Sequence, residues 1–182
     1  QIIIITLQSF NTWILLAVNV QSDIKAVAVT GTPGCGKTTL CQSLPFNSVS
    51  VEDLAIKHGC ISPADEDGAR PIDVEKLAKI WQKPDEITLI DGHLSHLLPV
   101  DAIIVLRCDP DILRDRLNQR GYSKNKVEEN VEFELMGGVW SDLIDESRPI
   151  KENGEEITEW ITSGCPPLTT AFTAIDWISA IE

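Results

Sequence analysis

Apolar positions along the chain fall into short β-branched runs that alternate with stretches of helical spacing. Ala26-Val27-Ala28-Val29-Thr30 is apolar at consecutive positions, the pattern of a strand buried on both faces of a parallel sheet. Thr38 to Leu44 then opens a helix. Asn47 to Val51 reads as a second strand, and Glu52 to Lys57 as a short helix that Gly59 stops. Ser62 to Pro71 is polar and turn-rich, which predicts a mobile loop. Ile72 opens a helical pattern with Asp73 as its cap and Val74, Leu77, Ala78 and Trp81 on one face, and Pro84 ends it.

Two more buried strands follow, Ile87 to Asp91 and Ala102 to Leu106. Asp111 to Arg120 has amphipathic spacing, with Ile112, Leu113 and Leu117 inward, Arg114, Arg116 and Arg120 on other faces, and Gly121 as the stop. Ser123 caps a second helical stretch carrying Val127, Val131, Leu135 and Met136. Gly137-Gly138 breaks or kinks it, and Val139 to Ile144 resumes it. Lys151 to Glu156 reads as a charged turn and Ile157 to Thr162 as the last strand. After Pro166-Pro167, Leu168 to Ile181 is expected to close the fold as a helix, with Phe172, Ile175 and Ile178 inward.

Strands alternating with helices predict the α/β class: a parallel sheet covered on both faces, with ligands at the C-terminal strand edge. No internal repeat or second domain is evident. Residues 1–24 stand apart as an apolar extension of open role, uncharged before Asp23 but interrupted by Gln8, Ser9, Asn11, Thr12 and Asn19. The extension lacks the basic start and small-residue cleavage site of a secretory signal. It reads as an extra element on the core, or as translated sequence upstream of the true start, rather than as a membrane anchor. Residues 25–182 read as one domain.

Composition narrows the partners. The 182 residues are 43% apolar, enough for one core, and carry a net charge of −13. That acidity opposes broad electrostatic affinity for nucleic acid, so any RNA contact would be local or made through a protein. The five cysteines, Cys35, Cys41, Cys60, Cys108 and Cys165, are scattered without C-x-x-C spacing. This pattern indicates neither a zinc site nor a disulfide framework and suits small apolar fillers in a reducing cytoplasm.

The chemistry concentrates after the first buried run. Gly31-Thr32-Pro33-Gly34-Cys35-Gly36-Lys37-Thr38-Thr39 fits G-x-x-x-x-G-K-[ST], with a strand before it and a helix after it, as a phosphate-binding loop requires. Glycines let successive N–H groups face one concavity, and the helix N-terminus adds partial positive charge. Lys37 would bring a full charge to the β- and γ-phosphates, and the Thr38 hydroxyl is a hard oxygen suited to Mg²⁺.

Asp91 ends an apolar strand, where a carboxylate can hold the same ion. His93 lies two residues on and could orient water or exchange a proton, whereas His96 reads as a structural hydrogen bonder. Arg116 and Arg120 are one helical turn apart, so one face could bring both to oxygens that gain negative charge. Gln119 to Ser123 could close over a nucleotide as a lid.

Three blocks together, Gly31–Thr39, Asp91-Gly92-His93-Leu94-Ser95-His96-Leu97-Leu98-Pro99 and Arg116-Leu117-Asn118-Gln119-Arg120-Gly121-Tyr122-Ser123, resemble the archaeal adenylate kinase family and its eukaryotic isoenzyme six relatives. The likeness runs from about Lys25 onward. It implies a P-loop NTPase with an adenylate-kinase-like sheet, a monophosphate region at about 50–73 and a short lid at about 119–129. It implies ATP + AMP ⇌ 2 ADP with ATPase activity, Mg²⁺ as cofactor, and ATP contacts from Gly34, Gly36, Lys37, Thr38, Thr39 and Arg120. Thr38 and Asp91 would serve the metal, and Lys37, Asp91, His93, Arg116 and Arg120 the chemistry.

The resemblance also implies a small-subunit ribosomal protein as partner, and a role in small-subunit rRNA maturation. One departure weakens the AMP site: Ile56-Lys57 stands where some relatives carry an arginine, and lysine lacks the bidentate fork. An assembly ATPase with little kinase activity, a non-catalytic ATP-dependent binding module and a small-metabolite kinase remain alternatives.

Overall fold

The structure, a computed structural model, describes residues 2–9, 12–19, 24–64, 70–152, 156–167 and 176–177. The N-terminal apolar run forms a hairpin of β1 (Ile2–Ser9) and β2 (Thr12–Asn19), antiparallel from the Ile2–Asn19 pair to the Ser9–Thr12 pair. Consecutive isoleucines favour extended backbone. This hairpin is a sheet of its own.

The second sheet has five strands: β3 (Ala26–Gly31), β4 (Asn47–Ser50), β5 (Thr88–Asp91), β6 (Ala102–Leu106) and β7 (Ile150–Glu152). All its pairs are parallel, in the order β4-β5-β3-β6-β7. The central strand β3 therefore has β5 on one side and β6 on the other, and the chain leaves β3 where the two neighbours diverge. That is the switch point at which open parallel sheets bind ligands.

Side-chain alternation divides the core into two layers. Val27, Val29, Leu89, Ile104 and Leu106 face one side, where they meet Leu113 and Leu117 of α4 (Pro110–Gln119), Val127 and Val131 of α5 (Lys124–Leu135), and α6 (Ile157–Thr162). Ala26, Ala28, Ile90, Ile103 and Val105 face the other, against α2 (Val51–Lys57) and α3 (Val74–Ile80). The helix that follows the glycine loop, α1 (Lys37–Ser43), buries Cys41 in the first layer. Among the described residues no helix is long and apolar enough to cross a membrane.

Several expectations change. Ile157 to Thr162 is a helix, not a strand: Ile157, Trp160 and Ile161 are all buried, and their i, i+3, i+4 spacing outweighs the β-branched composition. The final strand lies instead within the stretch read as a charged turn, where Ile150 pairs with Ile103. Val139 to Ile144 resumes as a 3-10 helix over Gly138–Leu143. Ile112, expected inward, is 49% exposed, and Met136, at helical spacing with buried Val127 and Val131, is 80% exposed. The expected closing helix from Leu168 to Ile181 lies outside the described residues, apart from Asp176 and Trp177.

Leu117 is fully buried and packs beneath the glycine loop, whereas Ile112 on the same helix faces solvent. Leu117→Ala should therefore cost about 2–5 kcal/mol in denaturant unfolding. Ile112→Ala should stay within about 0.5 kcal/mol. Equal losses would mean that the two faces of α4 are assigned wrongly.

Candidate functional site

The glycine loop occupies the switch point at the end of β3. Gly34 and Gly36 both have φ of 98°, a region that costs other residues a steric penalty. At Gly34 a Cβ would also lie 2.7 Å from Leu113 Cδ1, so the helix beneath requires a glycine there. Gly36 is the N-cap of α1 and offers no side-chain cap to the first N–H groups, which stay available to an anion.

Lys37 follows immediately. Its Nζ donates to the carbonyls of Gly31 (2.8 Å) and Thr32 (3.0 Å), which hold the ammonium against the start of the loop. Burial lowers the Lys37 pKa, and the Asp91 carboxylate works the other way.

The β3–β5 register sets Asp91 opposite Val29, level with the exit of β3. There the Thr38 hydroxyl donates to Asp91 Oδ2 at 2.6 Å. Two hard oxygens from different elements thus meet at the mouth of the loop. They suit Mg²⁺, which takes one or two protein oxygens and fills its remaining positions with water and phosphate. Among the described residues no cluster of three or more His, Cys, Asp or Glu forms a closed cage, and a magnesium site of this kind needs none.

Beyond this pair lies a cleft of about 510 Å³. The phosphate loop and Thr39, Asp91 and His93, and Ser50, Glu52 and Arg70 all line it. His93 is solvent-exposed within the cleft. Desolvation by the surrounding protein, and then the Lys37 charge, lower its pKa below the ordinary histidine value, which favours the neutral imidazole that can accept a proton.

His96 is different. It is 2% exposed, with Nδ1 2.8 Å from Thr30 Oγ1 and Nε2 3.3 Å from Asp142 Oδ2. Thr30 Oγ1 also lies 3.0 Å from the His93 carbonyl, so His96 braces the turn that carries His93.

The two arginines part company. Arg120, at the C-cap of α4, borders both the cleft and an adjoining cavity. Arg116 borders only the adjoining cavity. Its Nη1 lies 3.4 Å from Gly34 O and 3.5 Å from Cys108 Sγ, so it braces the loop from behind instead of facing the cleft. The stretch expected to act as a lid begins as a short turn, with Gly121 at φ 75°, and runs on into α5, which Ser123 caps.

Two features escaped the sequence reading. Arg70, within the stretch read as a mobile loop, lines the cleft and pairs with Glu52 at 3.7 Å. Its sole sequence signal is a single basic residue after an acidic run. Glu134 was read only as part of an amphipathic helix, yet it is 1% exposed behind the loop. Its Oε1 accepts from Arg107 Nε (2.7 Å), Cys108 N (3.0 Å) and Trp177 Nε1 (3.1 Å), and its Oε2 from the Thr32 hydroxyl.

Comparison with known proteins places this site in a family. A model described as "AAA domain" matches residues 27–137. A protein of Pyrococcus abyssi named "Putative adenylate kinase" is 42% identical over 147 residues, 74% of this chain and 81% of its own length. A protein of the same name from Archaeoglobus fulgidus is 36% identical, covering 86% of this chain and 93% of its own. "Adenylate kinase isoenzyme 6 homolog FAP7" of Saccharomyces cerevisiae is 33% identical, covering 68% of each. The glycine loop, the strand-end aspartate and the histidine turn all fall inside the matched residues 27–137, and on these matches the chain belongs to the family of the archaeal adenylate kinase-like proteins and the yeast isoenzyme 6 homologue.

Proposed function

We propose that the chain is a magnesium-dependent adenylate kinase, catalysing ATP + AMP ⇌ 2 ADP, with ATPase activity at the same site. The observation that carries this reading is the Thr38–Asp91 oxygen pair at the mouth of the phosphate loop, in a cleft that Arg70 also lines. The names of the relatives support the same reading.

Each residue then has a physical task. The N–H groups of Gly34 to Thr39 and the Lys37 ammonium hold the ATP phosphates and stabilise charge as the terminal phosphoryl group leaves. Arg120 adds charge from the lid. Thr38 and Asp91 would hold the metal, which would supply positive charge to the ATP phosphates. Arg70 supplies the planar guanidinium that Ile56-Lys57 lacks, and so grips the phosphate of AMP. Alignment of the two nucleotides across one cleft lowers the barrier by fixing their approach. In the absence of AMP, neutral His93 orients water toward the same phosphoryl group and accepts its proton.

The motif resemblance supports a cytoplasmic role in maturation of the small ribosomal subunit. A net charge of −13 suits a basic ribosomal protein as partner.

Purified protein should form ADP from ATP alone and faster with AMP added, and Lys37→Met should abolish both activities. If AMP adds nothing, the kinase half of the reading fails and an assembly ATPase is left. Arg70→Ala should raise the KM for AMP about tenfold or more while ATP hydrolysis without AMP changes less than about twofold. An unchanged KM would remove Arg70 from the acceptor site. The acid limb of ATP hydrolysis should lie below the usual histidine pKa of about 6.5, because His93 must stay unprotonated to accept a proton and its pKa is lowered. His93→Ala should lower the rate and erase that limb; a limb that persists in the variant would exclude His93 as its source.

A further inference from the structure

The phosphate loop carries a thiol of its own, and a second thiol lies beside it. Cys35 sits between Gly34 and Gly36, and Cys108 lies just beyond β6. Two shared neighbours locate the pair. Glu134 Oε2 is 3.8 Å from Cys35 Sγ, and Glu134 Oε1 accepts from the Cys108 amide at 3.0 Å. Arg116 Nη1 is 3.5 Å from Cys108 Sγ and 3.4 Å from the carbonyl of Gly34, the residue before Cys35. The two side chains share one core layer. We propose that Cys35 and Cys108 are a reversible oxidation site, whose disulfide distorts the phosphate loop and blocks nucleotide binding.

The two sulfurs are chemically unequal. The neighbouring Cys35 thiol and the Arg116 guanidinium, 3.5 Å from the sulfur, together bring the Cys108 pKa down to about 7 despite burial and the opposing charges of Glu134 and Asp109. Cys35 keeps its proton: its Cys108 neighbour, burial and the Glu134 charge all raise its pKa, and the thiol donates to Glu134 Oε2. Burial pushes Cys41 and Cys165 up to about 12, so neither competes as a thiolate. Cys35 and Arg116 line the cavity beside the loop, and Cys108 Sγ lies 3.5 Å behind that Arg116, so a small oxidant entering there has one residue to pass.

With hydrogen peroxide as oxidant the steps balance. The Cys108 thiolate attacks one peroxide oxygen, the O–O bond breaks, and Cys108 becomes a sulfenic acid as hydroxide leaves and takes up a proton to form water. The Cys35 sulfur then attacks the Cys108 sulfur. The S–O bond breaks, the Cys35 proton leaves with the hydroxyl as a second water, and the S–S bond forms. Peroxide gains two electrons and the two thiols lose them. A disulfide requires its Cβ atoms to stand about 3.8 Å apart. Closing to that distance draws the Cys35 peptide toward the exit of β6 and turns the adjacent N–H groups away from a common focus, with the flanking glycines yielding first.

The test uses the full chain, treated with hydrogen peroxide and then freed of it. A non-reducing digest should contain a peptide linking Cys35 to Cys108 that lacks two hydrogens. Calorimetry with Mg-ATP should show binding weakened at least about tenfold, and dithiothreitol should restore it. Cys108→Ala, or Cys108→Ser should the alanine variant misfold, should bind ATP when reduced and keep that binding after peroxide. Two free thiols after treatment would overturn the proposal, as would a linked protein that binds ATP normally. Equal loss of binding in the Cys108 variant, with Cys35 alone oxidised, would also overturn it. The effect on binding rests on the nucleotide-site reading: if reduced wild-type protein binds no ATP, that reading fails, and the digest still decides the disulfide.

Discussion

Parallel pairing between β3 and β5 is the constraint from which the rest of the site follows. Because Val29 stands opposite Asp91, the carboxylate emerges at the height where the chain leaves β3 and turns into the glycine loop. The loop delivers Thr38 to that carboxylate, and one hydrogen bond joins the two halves. A slip of one residue in either strand would send Asp91 into one of the two apolar layers, where an unpaired charge is costly. The buried faces of β3 and β5 thus specify the polar geometry at their ends.

A second constraint lies behind the loop. The Arg107–Glu134 pair is almost entirely inaccessible to solvent, and the hydroxyl of Thr32 and the amide of Cys108 fill further acceptor sites on the carboxylate. Removing one partner of such a pair typically costs about 3–5 kcal/mol, because the other charge is left buried. The loop is rich in glycine, yet anchored from beneath at Thr32 by a buried, hydrogen-bonded ion pair. A phosphate site benefits from that combination, since donors held in place before binding lose little entropy when it occurs.

Much of this was legible because it is local. A glycine loop between a β-branched run and a helix, or an acid ending an apolar strand, needs only adjacent residues to be recognised. What failed required knowledge of the tertiary fold. Isoleucine and threonine made Ile157 to Thr162 resemble a strand, but an apolar layer waiting on one side selected the helix that could place Trp160 and Ile161 against it. β7 is short and polar because it is an edge, so its sequence carries little strand signal. The turn spacing of Arg116 and Arg120 put both on one side of α4, but which of them reaches the cleft depends on how that helix sits on the loop. Arg70 and Glu134 acquire their roles from partners 18 and 102 residues away, Glu52 and Thr32, and no window along the chain contains both ends.

The Trp177 contact extends this mechanical picture to the far end of the chain. Its indole shares the carboxylate oxygen that also receives Arg107 and the Cys108 amide. A chromophore from the C-terminal region therefore sits one carboxyl group away from the threonine that opens the glycine loop. One buried carboxyl group thus ties the C-terminal region to the start of the glycine loop, so a change that removes either contact leaves the other oxygen's partners to hold the pair.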